Sequence, residues 1–153
     1  MPKRRDEVAM TDAELQEFIE SQKTIQVATI NKDGTPHLVA MWYGIMDGKI
    51  VIETFEKSQK AVNLKRDPRI ACLLEAGTEY NELRGVQING TVTLVHDPDE
   101  IRELMKAVLG RNHEMDDKTL EIAAEHGSKK RVGAIIEPTK IVSWDHRKLG
   151  GGY

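Results

Sequence analysis

Thr24-Ile25-Gln26-Val27-Ala28-Thr29-Ile30 and His37-Leu38-Val39-Ala40-Met41-Trp42-Tyr43-Gly44-Ile45-Met46 flank the turn signal Asn31-Lys32-Asp33-Gly34. After the tight-turn dipeptide Asp47-Gly48 comes Lys49-Ile50-Val51-Ile52-Glu53-Thr54. All three runs are rich in β-branched residues, and short glycine-containing turns join them. The reading is an antiparallel meander, and it decides the fold.

Upstream, Thr11-Asp12-Ala13-Glu14 fits a capping box, and Leu15, Phe18 and Ile19 share one helical face, so a short amphipathic helix is expected over 11–21. Residues 1–10 read as a flexible polar arm, and 11–153 as one domain. Downstream, Ser58 to Arg66 reads as a helix halted by Asp67-Pro68. Arg69 to Glu75 is a nearly continuous apolar strand, and Leu83 to His96 is a long one interrupted by Gly85 and Gly90, where a bulge or sharp bend belongs. Asp97-Pro98-Asp99-Glu100 opens a helix with the apolar stripe Ile101, Leu104, Met105, Val108 and Leu109. A further helix runs from Asp116 to His126, and strands are expected at Val132–Glu137 and Lys140–Trp144. Six or seven strands in hairpins with helices inserted between them indicate an α+β, mainly β, small antiparallel barrel or sheet.

Composition narrows the classes. The chain has 153 residues, 39% hydrophobic and 31% charged, with a net charge of −3. That suits one soluble domain, too mildly charged to point to nucleic acid. No apolar run approaches the ~20 residues that span a bilayer, and the charged start lacks the apolar stretch of a secretory signal. Cys72 is the only cysteine, so an intrachain disulfide is excluded and a reducing cytoplasm is expected. The histidines at 37, 96, 113, 126 and 146 show no ligand spacing, and no metal is expected.

Two stretches carry candidate chemistry. In Thr54-Phe55-Glu56-Lys57-Ser58-Gln59-Lys60 a strand ends and a helix begins. Free N–H groups, the positive end of a helix dipole, two lysines and two hydroxyls gather there, which suits a phosphate; an ordinary capping serine between solvated lysines is the plainer alternative. The segment from Ser128 to Lys148 is basic and contains Trp144 and His146, which suits an anionic ligand with a planar ring, or simply a solvated end. Trp42 and Tyr43 are consecutive in a strand and face opposite ways; Trp42 is expected in the core, with the other ring toward a ligand or partner. No nucleophile or general-acid constellation stands out, and Cys72 reads as an inert buried thiol.

Thr35-Pro36-His37-Leu38-Val39-Ala40-Met41-Trp42, Gly48–Thr54, Lys57-Ser58-Gln59-Lys60-Ala61-Val62-Asn63-Leu64 and Asp67-Pro68-Arg69 together resemble the pyridoxamine 5′-phosphate oxidase-like FMN-binding split-barrel family. The tail Ser143-Trp144-Asp145-His146-Arg147-Lys148-Leu149 is similar to its actinobacterial branch, many of whose members use the deazaflavin coenzyme F420. The resemblance implies a six-stranded antiparallel split β-barrel of Greek-key type with peripheral helices. It also implies a homodimer whose two cofactor grooves lie at the subunit interface. Thr54, Ser58 and Lys60 match phosphate-binding positions, with Lys57 placed to help. The strand containing His37, Leu38, Met41 and Trp42 matches the one along the cofactor ring, with Met41 and Trp42 lining the pocket. Trp144, His146 and Lys148 match the region reaching the groove from the other subunit. FMN-dependent members carry Arg-Gln where this chain has Arg84-Gly85, and an arginine where it offers His37 or Leu38. These departures put F420 ahead of FMN. The implied activity is hydride transfer between F420 and a small planar unsaturated substrate, with His37, Tyr43 or water as proton source. An FMN oxidoreductase and a non-catalytic cofactor or tetrapyrrole carrier are the alternatives.

Overall fold

The computed structural model describes residue 1 and residues 3–150. The tail's last residues, 151–153, lie outside the described residues. In chain order the elements are α1 (Arg4–Val8), α2 (Asp12–Ser21), β1 (Thr24–Ile30), β2 (Pro36–Trp42), β3 (Gly44–Met46), β4 (Lys49–Phe55), α3 (Gln59–Arg66), β5 (Arg69–Ala76), β6 (Arg84–Val95), α4 (Pro98–Asn112), α5 (Asp117–Gly127) and β7 (Arg131–Asp145). Short 3₁₀ turns lie at Tyr80–Glu82 and His146–Leu149.

The seven strands form one antiparallel sheet in the order β2-β1-β5-β6-β7-β4-β3. The described residues form seven strands where the family resemblance implied six, and two local departures from the sequence reading, one split and one fusion, offset each other in the count. The strand expected over 37–46 breaks at Tyr43, and the two expected over 132–137 and 140–144 are one strand through Pro138. Proline cannot donate to the ladder, so it is tolerated only where pairing is interrupted. Here the register steps from Asn89↔Lys140 to Gly90↔Pro138, leaving Thr139 as the extra residue of a bulge. A Cβ at Gly90 would run into the Glu137 carbonyl oxygen, so only glycine admits that close approach.

The order of strands has a geometric consequence. β2 and β3 occupy opposite ends of the sheet, yet only Tyr43 separates them in sequence. The two edges therefore meet at Tyr43, and the sheet curls into a barrel. Away from Tyr43 they part. β3 pairs with β4 only over Gly44–Met46, reaching no further than Val51. Extended two residues, that register would set Trp42 opposite Glu53, but β2 pairs with β1 alone. The edges of β2 and of the Ile52–Phe55 half of β4 thus face an opening, the split of the barrel.

Alternation along the strands fills the interior with Ile25, Val27, Ile52, Leu74, Val86, Ile88 and Ile136, all nearly or fully buried. α4 covers the outside of β4 through Leu104 and Val108 against Val51. Tyr43 is the buried ring of the Trp42-Tyr43 pair, reversing the expectation for Trp42, which stays 40% exposed. The Tyr43 hydroxyl lies against the carbonyls of Ile19 and Gln22, and Arg111 lies 4.3 Å over its ring while donating to the carbonyls of Tyr43, Glu20 and Gln22. These bonds satisfy the otherwise open C-terminal carbonyls of α2. They also remove Tyr43 as a proton source, since its hydroxyl is committed to α2 and burial raises its pKa.

The expected polar arm also differs. Residues 4–8 form a helix whose Val8 is buried, and Lys148 donates to the carbonyl of Ala9 just beyond it, at 2.8 Å. The buried Val8 side chain and the distant Lys148 help to hold it, and neither is visible in local periodicity. α2 begins as the capping box requires, with Thr11 accepting from the Glu14 N–H and Glu14 from the Thr11 N–H.

Candidate functional site

The end of β4 and the start of α3 form the core of the site. Ser58 is the N-cap of α3; its Oγ accepts from the Ala61 N–H and lies 3.1 Å from Thr54 Oγ1. Thr54 is buried on the inner face of β4. Lys60 lies in the first turn, half-buried, with its pKa lowered first by desolvation. Lys57 stands exposed in the preceding turn. The donor-rich helix start read from sequence is therefore assembled, with hydroxyls, N–H groups and a partly desolvated ammonium together.

Two residues missed as site candidates join it. Arg131 opens β7 opposite Phe55, its guanidinium carbon 3.8 Å from the centre of the Phe55 ring. Its Nη1 donates to Glu53 Oε2 at 2.7 Å, while its buried Nε has no partner. Glu53 is largely buried; desolvation raises its pKa, against the lowering effect of Arg131 and then Lys60. The signal was present in the basic run around Lys129-Lys130-Arg131. Its meaning depends on β7 pairing with β4, which lies far away in sequence.

Across the split, β2 alternates cleanly. His37, Val39 and Met41 turn inward, and Leu38, Ala40 and Trp42 turn out. His37 Nδ1 is buried and without a partner. In a folded protein such an atom calls for a ligand or a water. Trp42 meets His113, at the end of α4, edge to face at 4.9 Å between ring centres.

The remaining candidates lie elsewhere. The Trp144 ring lies against Gly85, where a Cβ would overlap it, so the glycine in the Arg84-Gly85 pair is what admits the indole. With Leu38, Leu73, Gln26 and Gln87 it lines an outer-face groove of about 340 Å³. Arg84 lies 5.3 Å from the Phe18 ring under α2. His146 Nδ1 is 2.9 Å from the Tyr80 carbonyl, and its ring tilts on Tyr80. Lys148 donates to Glu14 at 2.6 Å. The structure brings Thr54, Ser58 and Lys60 together and sets Leu38 beside Trp144. Arg84, His146 and Lys148 belong to the corner under α2. Trp144 and Arg131 are thirteen positions apart on β7, about 40 Å along an extended strand.

Cys72 is buried on β5, its thiol pushed up to about 12 by desolvation, so it takes no part in thiolate chemistry. No helix among the described residues is long and apolar enough to cross a membrane.

A sequence model described as pyridoxamine 5′-phosphate oxidase matches residues 11–145. No curated protein matches the sequence. Among solved structures, the conserved hypothetical protein Rv2991 from Mycobacterium tuberculosis is 42% identical with a TM-score of 0.93, over 99% of this chain and 95% of that one. An F420 reductase is 22% identical with a TM-score of 0.62, over 82% of this chain and 94% of its own. HutZ, the heme storage protein from Vibrio cholerae, is 14% identical with a TM-score of 0.67, over 86% and 94%. The last two likenesses are of fold alone.

Proposed function

Because this chain belongs to the pyridoxamine 5′-phosphate oxidase family, we propose that it is an F420-dependent oxidoreductase working as a homodimer on a small planar unsaturated substrate. One observation carries the reading. The anion-seeking cluster of Thr54, Ser58, α3 and Lys60 stands where the sheet is open between β2 and β4. A phosphate held there leaves an attached planar ring beside two strand edges whose backbone groups have no cross-strand partner.

The residues fit such a group on their own chemistry. Lys60 and the α3 N–H groups hold its phosphate. The unpartnered His37 Nδ1 and Arg131 Nε are polar atoms in want of a partner. When bound, the reduced deazaflavin supplies a hydride to an electrophilic acceptor, and the protein's part is to position it. Met41 and the β2 edge orient the ring, Trp42 walls the groove, and His37 can hold a proton beside it.

The separation along β7 supports the dimer. Trp144 stands thirteen positions along β7 from Arg131, at the opposite end of that strand from the cradle. In this reading Trp144 serves the partner's groove, His146 and Lys148 stay bonded within their own chain, and Leu38 and Trp144 on the outer face are the proposed contact between two copies. Trp144 over Gly85 also fills the space in which FMN-dependent relatives carry a glutamine, which favours F420.

Titration of the purified protein with F420, FMN and haem tests the reading, followed by assay of F420 oxidation against enones, quinones and tetrapyrroles. F420 binding with turnover is expected. Tight FMN binding without F420 binding would make it an FMN oxidoreductase. Haem binding without hydride transfer would make it a carrier.

A further inference from the structure

Glu53 is an unexpected residue to find beside a phosphate cradle. Its carboxylate is largely buried, with its side chain 15% exposed, and it is paired at 2.7 Å with Arg131. Arg131 is in turn pinned over Phe55. Lys60 acts on both groups electrostatically. The cluster thus contains two cations and one fixed carboxylate, and keeps one net positive charge. Lys57, the next lysine, stands in solvent, where its field is screened.

From this geometry we infer that Glu53 is a specificity-determining residue that selects a phosphodiester over a phosphomonoester. The inference rests on the proposed binding of a phosphate-bearing cofactor at this cradle. A phosphodiester, as in F420, brings one negative charge and is matched by the cluster. A phosphomonoester, as in FMN, brings close to two at neutral pH. The second charge meets the Glu53 carboxylate, and like charges brought together in a partly desolvated site repel. Glu53 sits mid-ladder on β4, opposite Gly133, so its backbone cannot withdraw without opening the sheet.

The experiment compares ligands that differ only in phosphate charge. Wild type and Glu53→Gln are titrated with F420, FMN, the monomethyl ester of FMN, and riboflavin. In wild type the methyl ester is expected to bind about fivefold more tightly than FMN, because esterification removes one charge from the same ring system. Glu53→Gln is expected to tighten FMN about fivefold, to move F420 by less than about twofold, and to leave riboflavin unchanged. Should the variant not fold, the ester-to-FMN ratio in wild type decides alone. F420 binding with an ester-to-FMN ratio near one, or with an FMN affinity unmoved by the substitution, overturns the role of Glu53 and leaves the cofactor reading standing. Binding of none of the phosphorylated ligands by either protein overturns both.

Discussion

The two ends of β7 both carry basic side chains, and they are built to opposite purposes. At the Asp145 end every charge is used within the chain. Asp145 is buried and takes the Arg147 guanidinium at 2.7 Å and 2.9 Å, Lys148 reaches Glu14 and the Ala9 carbonyl, and His146 meets the Tyr80 carbonyl. At the Arg131 end the network is left incomplete. Arg131 has one bond to Glu53 and a bare buried Nε, and Lys60 is partly desolvated. A completed network stabilises a fold, whereas an incomplete one bears a desolvation cost that a ligand can relieve. Net charge along the sequence cannot separate the two cases; partners can.

Each prediction tests that contrast. Gly85→Ala has the largest expected effect, because the added Cβ would overlap the Trp144 ring and the indole must leave the sheet. Such overpacking costs about 1–3 kcal/mol, seen as a lower Tm with a changed tryptophan fluorescence spectrum. An unchanged spectrum would mean that Trp144 does not lie where described. Next, Lys60→Ala should weaken F420 at least tenfold, about 1.4 kcal/mol, by removing a charge-assisted phosphate contact, with little change in Tm. A fall in Tm without loss of affinity would make the Arg131 end structural like the other.

Asp145→Asn should lower stability by about 1 kcal/mol. Arg147 and then the backbone N–H bond hold the Asp145 carboxyl below its ordinary value of 3.8 in the folded state. The sign is that of a depressed acid: its stabilisation is present above the unfolded value and is lost as pH falls through the lower folded value. Stability of wild type and variant should therefore converge in acid, below about pH 4, and differ at neutral pH. The smallest effect is expected for Lys148→Ala, whose exposed pair with Glu14 should move Tm by about 2 °C at most, with faster amide exchange around residues 4–9. A tenfold loss of F420 affinity with unaltered exchange would instead assign Lys148 to the partner's groove.

Most of the architecture was legible in local chemistry. The capping box at Thr11, the Asp47-Gly48 turn, the Ser58 cap and the Asp97-Pro98 helix start are all encoded within four residues of where they act. The strand break at Tyr43 was not, because its cause lies in α2 and Arg111. Nor was the fusion of two strands through Pro138, which depends on Gly90 across the ladder. The site divides in the same way. Thr54, Ser58 and Lys60 are neighbours in sequence and could be read together. Arg131 joins Glu53 and Phe55 only through the β4–β7 ladder, so its charge could be read in the basic run but its place beside the cradle could not.

The central claim is a cofactor groove assembled from the cradle of one copy and the Trp144 tail of another. Mixing Lys60→Ala with Trp144→Ala protein tests it most directly, with F420 binding followed before and after subunits exchange. Each variant alone should bind weakly. A dimer containing one of each carries one groove with both substitutions and one with neither, so about one site in four should regain wild-type affinity after statistical exchange. No recovery, with exchange confirmed by mass spectrometry, would place cradle and tail in the same chain's site or in separate ones, and would contradict the shared groove.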